Sequence, residues 1–213
     1  MFWWSKKKSL PPARQWALGA GGILTTLNSE SFDKLRFECG PAASRESLRD
    51  WWSVNDPQEL TNTLHWLWEE GHRTGCERLC RSLPPTGNRS FIAPNQDSSG
   101  LYAFMSSNLE ELKASGLVGW DLSRLVNVAR WGYTAAFIPE SEAWIWISHA
   151  AQELQRSYRS WEALGRDFLL GYEFWRRSTG ANVDFDLNSL YDWLLSDPES
   201  PWCRLAWDTP LDT

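Results

Sequence analysis

Residues 121–136 read DLSRLVNVARWGYTAA, and the fold turns on whether this helix has one covered side or two. Advancing 100° per residue places Leu122, Leu125, Val126, Val128, Ala129, Ala135 and Ala136 on one apolar face. Ser123, Arg124, Asn127, Arg130, Trp131 and Thr134 fall opposite. Steps of three and four make Arg124, Asn127 and Trp131 neighbours on the helix surface. Either a second helix covers that side and supplies acids to the arginines, or the side meets a ligand or partner.

One acid is placed to answer the arginines. Between Trp161 and Arg177, Glu162, Arg166, Glu173, Arg176 and Arg177 form a charged stripe, whereas Asp167 falls with Leu164, Leu170, Gly171 and Phe174 on the apolar side. An unpaired carboxylate is costly to take out of water. The expectation is that Asp167 pairs with Arg124 or Arg130, giving a polar cluster of Arg124, Asn127, Arg130 and Asp167. Gly165 and Gly171 flank the acid and leave room for another backbone.

Helix signals recur outward from this stretch, whereas alternating strand patterns of useful length do not. In NDPQEL, Asp56 is the N-cap, Pro57 the first helical position and Glu59 the third, a capping box before TLHWLWEEG, which stops at Gly71. Ser44 is expected to cap RESLRDWW, Asp121 the helix quoted above, and Ser160 the helix WEALGRDFLLGYEFWRR, while Pro139 opens ESEAWIWISHAAQELQRSY. Asp186 or Asn188 begins a last helix through Leu195, ended by DPESP. The stretch PPTGNRSFIAPNQDSSG has no period and reads as a long surface loop. The expected fold class is mainly α: a single compact multi-helix domain over residues 14–207 with a long loop near 84–100, a flexible arm at 1–13 and a tail at 208–213. The GAGG at 19–22 lacks the preceding strand and following Lys of a phosphate loop, so it serves close helix packing.

A chain of 213 residues builds a real core without disulfides. Hydrophobic and charged residues at 42% and 23% mark a folded protein, and the lack of an 18-residue apolar run excludes stable membrane insertion. A net charge of −6 argues against nucleic-acid binding by phosphate neutralisation and suits a basic protein partner. Cys39, Cys76, Cys80 and Cys203 have neither the density nor the spacing of a disulfide scaffold, so they read as reduced thiols in the cytoplasm. KKKSLPPARQ before WALGAGGILTTL has the charge-then-apolar order of a signal peptide. Against that, Trp3 and Trp4 precede the charges, two prolines interrupt, and no clean small-x-small site follows. The three lysines of FWWSKKK without an amphipathic helix make a weak membrane anchor.

Sixteen tryptophans are the compositional outlier; such residues fill cores or anchor interfaces. After Pro139, Ala143, Trp144, Ile147, Ala150, Ala151 and Leu154 share the apolar face, leaving Ile145, Trp146 and His149 opposite with Glu153. After Asp56, Leu60, Leu64, Leu67 and Trp68 face the core and Trp66 points away. Together with Trp131, the residues Trp66, Ile145, Trp146, His149 and Glu153 form the candidate interface unless other helices cover them. No catalytic residues are expected: there is no G-x-S-x-G elbow, and His65, His72 and His149 lack an adjacent activated nucleophile. His72, Cys76 and Cys80 recur every four residues. The ends of that span stand roughly 12 Å apart at 1.5 Å per residue, too far for one ion, so neither a metal nor another cofactor is expected.

WALGAGGILT, WWSVNDPQEL, EEGHR, WDLSRLVNVARWGYTAAFIPESEAW, SWEALGRDFLLGYEFW and SPWCRLAW, taken together and in this order, resemble the bacterial family catalogued as domain of unknown function 1266. The likeness runs from about residue 14 to residue 207 and is weakest at the 84–100 loop. It implies one small, Trp-rich helical domain, carries over no catalytic residue, and points to toxin–immunity or chaperone neighbourhoods. The leading expectation is a non-catalytic cytoplasmic binding protein, an immunity protein that neutralises a basic toxin domain by direct binding. The alternatives are an enzyme with an Arg/Asn/Asp pocket for an anionic ligand, and a chaperone-associated adaptor.

Overall fold

In the computed structural model of the chain, residues 118–134 form a helix covered on every side: each residue from Gly119 to Gly132 is buried. Residues 9–83 and 99–211 are described, and among them there are twelve helices and no strand. In chain order these are α1 (Pro12–Gly19), α2 (Gly22–Leu27), α3 (Gly40–Trp52), α4 (Pro57–Glu69), α5 (Gly71–Ser82), α6 (Ser99–Ser107), α7 (Leu109–Ser115), α8 (Val118–Thr134), α9 (Glu140–Ser157), α10 (Trp161–Thr179), α11 (Leu187–Ser196) and α12 (Pro201–Arg204). The expected mainly-α class holds. The loop expected near 84–100 lies almost wholly outside the described residues, as do the FWWSKKK segment and the last two residues of the tail. α1 begins at Pro12, inside the stretch expected to be an arm.

The axis of the fold is α8, which packs against α9, α10, α4 and α3. Leu122, Leu125, Val128 and Ala129 are at most 2% exposed, as an apolar face requires. The polar face is enclosed too, because α3, α4 and the segment after α2 close over it. Close approach is achieved with glycine: a Cβ on Gly171 of α10 would stand 2.3 Å from the Trp120 Cβ. Gly165 meets the rings of Tyr191 and Trp202. These two glycines thus accommodate large side chains rather than the backbone expected from the sequence.

Four helices begin on local side-chain caps. Asp56 accepts the Glu59 N–H at 2.9 Å, while the Glu59 carboxylate reaches back to the Asn55 N–H at 2.7 Å, completing the box one residue further out. Ser160, Asp186 and Ser200 cap α10, α11 and α12. Two expected caps are corrected. Ser44 is fully buried inside α3, and the carboxylate of Glu30 takes the N–H groups of Glu38 and Cys39, the two residues that lead into that helix. Asp121 lies in the first turn of α8 and caps α5 instead, accepting the N–H groups of His72 and Arg73 at 3.0 and 3.1 Å. Its carboxylate occupies the space beside Gly71, where a Cβ would lie 2.0 Å from Oδ2; with φ at +58°, this position requires glycine.

Candidate functional site: an aromatic cleft over Arg124

The face of α8 that carries Arg124 looks into a cavity of about 700 Å³, within the range of small-molecule sites. α2, α3, α4, α8 and α10 contribute its walls, with Phe185 and Leu187 closing one side. Trp51, Trp52, Trp66, Trp120, Trp131 and Trp175 line it, so six of the sixteen tryptophans meet at one place. Phe168 and Tyr172 join them from α10. Trp51 is 57% exposed and stands at the mouth beside Phe185, their ring centroids 5.9 Å apart.

At the floor, the Arg124 guanidinium lies 4.1 Å from the Trp120 ring centroid and 5.3 Å from that of Trp52, a cation between two aromatic faces. Its Nε donates to the Trp120 carbonyl at 3.1 Å, and Nη2 donates to Asp121 Oδ1 at 2.6 Å and to His72 Nδ1 at 2.8 Å. An arginine nitrogen only donates, so His72 Nδ1 accepts and the imidazole carries its proton on Nε2. Asp121 Oδ2 also accepts from Arg73 Nη1 at 3.2 Å. Burial opposes ionisation of Asp121, but the Arg124 charge and the backbone N–H groups of His72 and Arg73 outweigh it and hold the carboxyl below its ordinary range. Burial lowers the His72 pKa, with Arg124 acting in the same direction, so the ring is neutral near pH 7. Burial draws the Arg124 pKa down to about 10 against the pull of Asp121, which leaves it cationic.

The four members of the expected polar cluster do not converge. Asn127 donates to the Gly21 carbonyl at 2.9 Å and accepts from the Thr25 hydroxyl at 3.0 Å. Arg130 donates to the carbonyls of Leu35, Ser31 and Lys34 and to Thr25 Oγ1. Both therefore bind the 21–35 segment to α8, and neither lines the cleft. The expected pairing of Asp167 with an arginine is not found. Asp167 Oδ2 accepts the Tyr158 O–H at 2.7 Å and the Trp120 N–H at 3.1 Å, while Oδ1 is buried without a partner. The acid that pairs with Arg124 is Asp121, three residues earlier on the same helix.

The candidate interface residues also separate. Trp131 is 5% exposed, tilted against Phe37 and part of the cleft wall, so it is no surface anchor. Trp66 is half-buried in the opposite wall, edge-on to His72 at 5.1 Å. Ile145, Trp146, His149 and Glu153 remain together on α9, with Ile145 55% exposed and Trp146 half-buried against His65. Trp51, Trp52, Trp120 and Trp175 were not singled out by the sequence reading. Their only sequence signal was the overall tryptophan count, because they come from three helices with no shared period. Cys76 and Cys80 have sulfurs 3.9 Å apart, and no group of three metal-ligating side chains occurs among the described residues. No helix of the described residues is long and apolar enough to cross a membrane.

No curated protein and no solved structure matches the chain significantly. Residues 47–207 match the family described as protein of unknown function, DUF1266, a span that takes in α4, α8, α10 and the C-terminal end of α3 with Trp51 and Trp52, and so most of the cleft; the chain belongs to that family.

Proposed function

We propose that this protein binds a small molecule with a flat, apolar body in the aromatic cleft over Arg124. The observation that carries this reading is the cavity itself: about 700 Å³ walled by six indole rings, with a buried cation at its floor. Apolar walls supply affinity and a few fixed polar groups supply orientation. Ligand binding is therefore favoured over the Arg/Asn/Asp pocket read from the sequence, of which Arg124 alone faces the cavity. The test is native mass spectrometry of the protein purified gently from its own cells, followed by thermal-shift screening with small aromatic compounds. A co-purifying small molecule, or a compound that raises Tm for the wild type and fails with Thr63→Phe, supports the reading. Thr63 lines the cleft, and the larger phenylalanine side chain there narrows it. Equal shifts in both proteins would move the binding elsewhere.

A second reading, cytoplasmic capture of a basic toxin domain by an immunity protein, is supported by the exposed α9 face. Ile145, Trp146 and His149 lie there beside Glu153, and the chain carries a net charge of −6. Acidic complementarity speeds encounter and an apolar centre holds the complex. Affinity capture with the wild type and with Ile145→Asp tests it: a stoichiometric partner lost in the variant supports it, and no partner removes it.

A further inference from the structure

The charge of the ligand follows from what the cleft lacks as much as from what it holds. Among the described residues, no aspartate or glutamate lines the cavity. Asp121 lies behind the floor, fully buried, with both oxygens occupied: Oδ1 by the His72 N–H and Arg124 Nη2, Oδ2 by the Arg73 N–H and Nη1. It has nothing left to offer a ligand. Arg73 and Arg124 together carry two positive charges against the single negative charge of Asp121, so the floor is left with a net charge of +1 while His72 is neutral.

The donors are unevenly used. Arg124 is 6% exposed and lines the cavity, and its Nη1 makes no hydrogen bond among the described residues, whereas Nε and Nη2 are engaged. His72 Nε2, the protonated nitrogen, is likewise without a partner among the described residues, and its ring adjoins Arg124 through Nη2 and Nδ1 at 2.8 Å. Trp120, 4% exposed and also lining the cavity, has its indole N–H buried without an acceptor. A buried group of donors that lacks acceptors is completed by a ligand that accepts.

We infer that the cleft takes an aromatic monocarboxylate, its ring between the tryptophan faces and its carboxylate on Arg124 Nη1 beside His72. This rests on the ligand-binding reading above and specifies its substrate class. A cation held by the aromatic walls is excluded by Arg124, whose like charge opposes it. A nucleoside di- or triphosphate brings more negative charge than one net cation offsets in a site without further basic lining residues. Walls of indole and phenyl rings favour offset or edge-on contact with another ring.

The experiment is titration of the full chain by isothermal calorimetry with 2-naphthoate, its neutral counterpart 2-naphthamide, and decanoate. The wild type should bind 2-naphthoate at least about tenfold more tightly than the amide, the scale of one charge-assisted hydrogen bond. Arg124→Met should abolish that preference while leaving amide binding in place. Asn62→Asp puts a carboxylate on the exposed rim without touching the Asp121 network. It should weaken 2-naphthoate severalfold and leave the amide unchanged, which keeps the inference testable if Arg124→Met fails to fold. Equal affinity for acid and amide in the wild type would overturn the carboxylate and leave the aromatic cleft standing. Decanoate binding without either naphthalene would overturn the aromatic body, and no binding by any of the three would overturn both readings.

Discussion

Arg124 and Arg130 stand six residues apart on α8, are both buried, and are both drawn down in pKa by burial, to about 10 and about 9. Their surroundings differ in kind. Arg130 has no carboxylate within ion-pair distance among the described residues; it is held by three backbone carbonyls and a hydroxyl, with Phe37 4.0 Å beneath it. Arg124 has an ion-pair partner in Asp121, two indole faces, and a nitrogen left unused toward a cavity. One arginine is spent entirely on holding the chain, whereas the other keeps a donor in reserve. Burial and a perturbed pKa therefore do not by themselves mark a site; the unused donor does.

The same substitution at the two positions separates these roles. Arg130→Met leaves the carbonyls of Ser31, Lys34 and Leu35 and the Thr25 hydroxyl without their donor, so unfolding in urea should show a loss of about 3–5 kcal/mol. Asp121→Asn is the next largest: it strands Arg124 and Arg73 without a counter-charge and weakens the α5 cap, for a loss of about 3 kcal/mol. Arg124→Met should cost only about 1 kcal/mol, because Asp121 keeps Arg73 and two backbone N–H groups, and a thioether sits well between indole faces. If the two Arg→Met variants were equally unstable, Arg124 would be as structural as Arg130 and the cleft would lose its polar anchor.

Three helices were legible in the sequence from a local start signal, whereas α12, capped just as locally by Ser200, was not expected. Asp56, Ser160 and Asp186 cap the helices that follow them, and the apolar stripes of α8 and α9 are as their periods require. Asp121 and Glu30 show why the other starts were not legible. The Asp121 carboxylate caps α5 and that of Glu30 holds the two residues leading into α3, and where such a side chain bonds depends on tertiary approach. The cleft was hidden for the same reason. Helical periodicity divides α8 into an apolar face and a polar face, but a central helix is covered on both, and its polar residues are sorted by which neighbours arrive. Arg124 meets a cavity, whereas Asn127 and Arg130 meet the 21–35 segment. The expected Asp167–arginine pair failed on direction, since α10 delivers Asp167 to the first turn of α8, where Tyr158 and the Trp120 N–H receive it.

Asp167 sharpens the comparison from the acidic side, because it is the buried carboxyl that no arginine answers. Burial raises its pKa above the ordinary 3.8, and Ser115, Tyr158 and the N–H groups of Trp120 and Gly119 offset this only in part. A folded-state pKa above the unfolded one means that the native protein holds the proton more tightly. The contribution is therefore fully present below about pH 3.8 and is lost as pH rises through the folded value. Asp167→Asn keeps an oxygen for Tyr158 and Trp120 but never ionises. Its stability should stay within about 0.5 kcal/mol of the wild type at acidic pH and exceed it increasingly toward neutrality, read as a difference in Tm that grows with pH. A wild type that instead gained on the variant as pH rose would place a stabilised charge on Asp167 in the folded state. The acid would then need a cationic partner, and the contrast between a paired Asp121 and an unpaired Asp167 would fail.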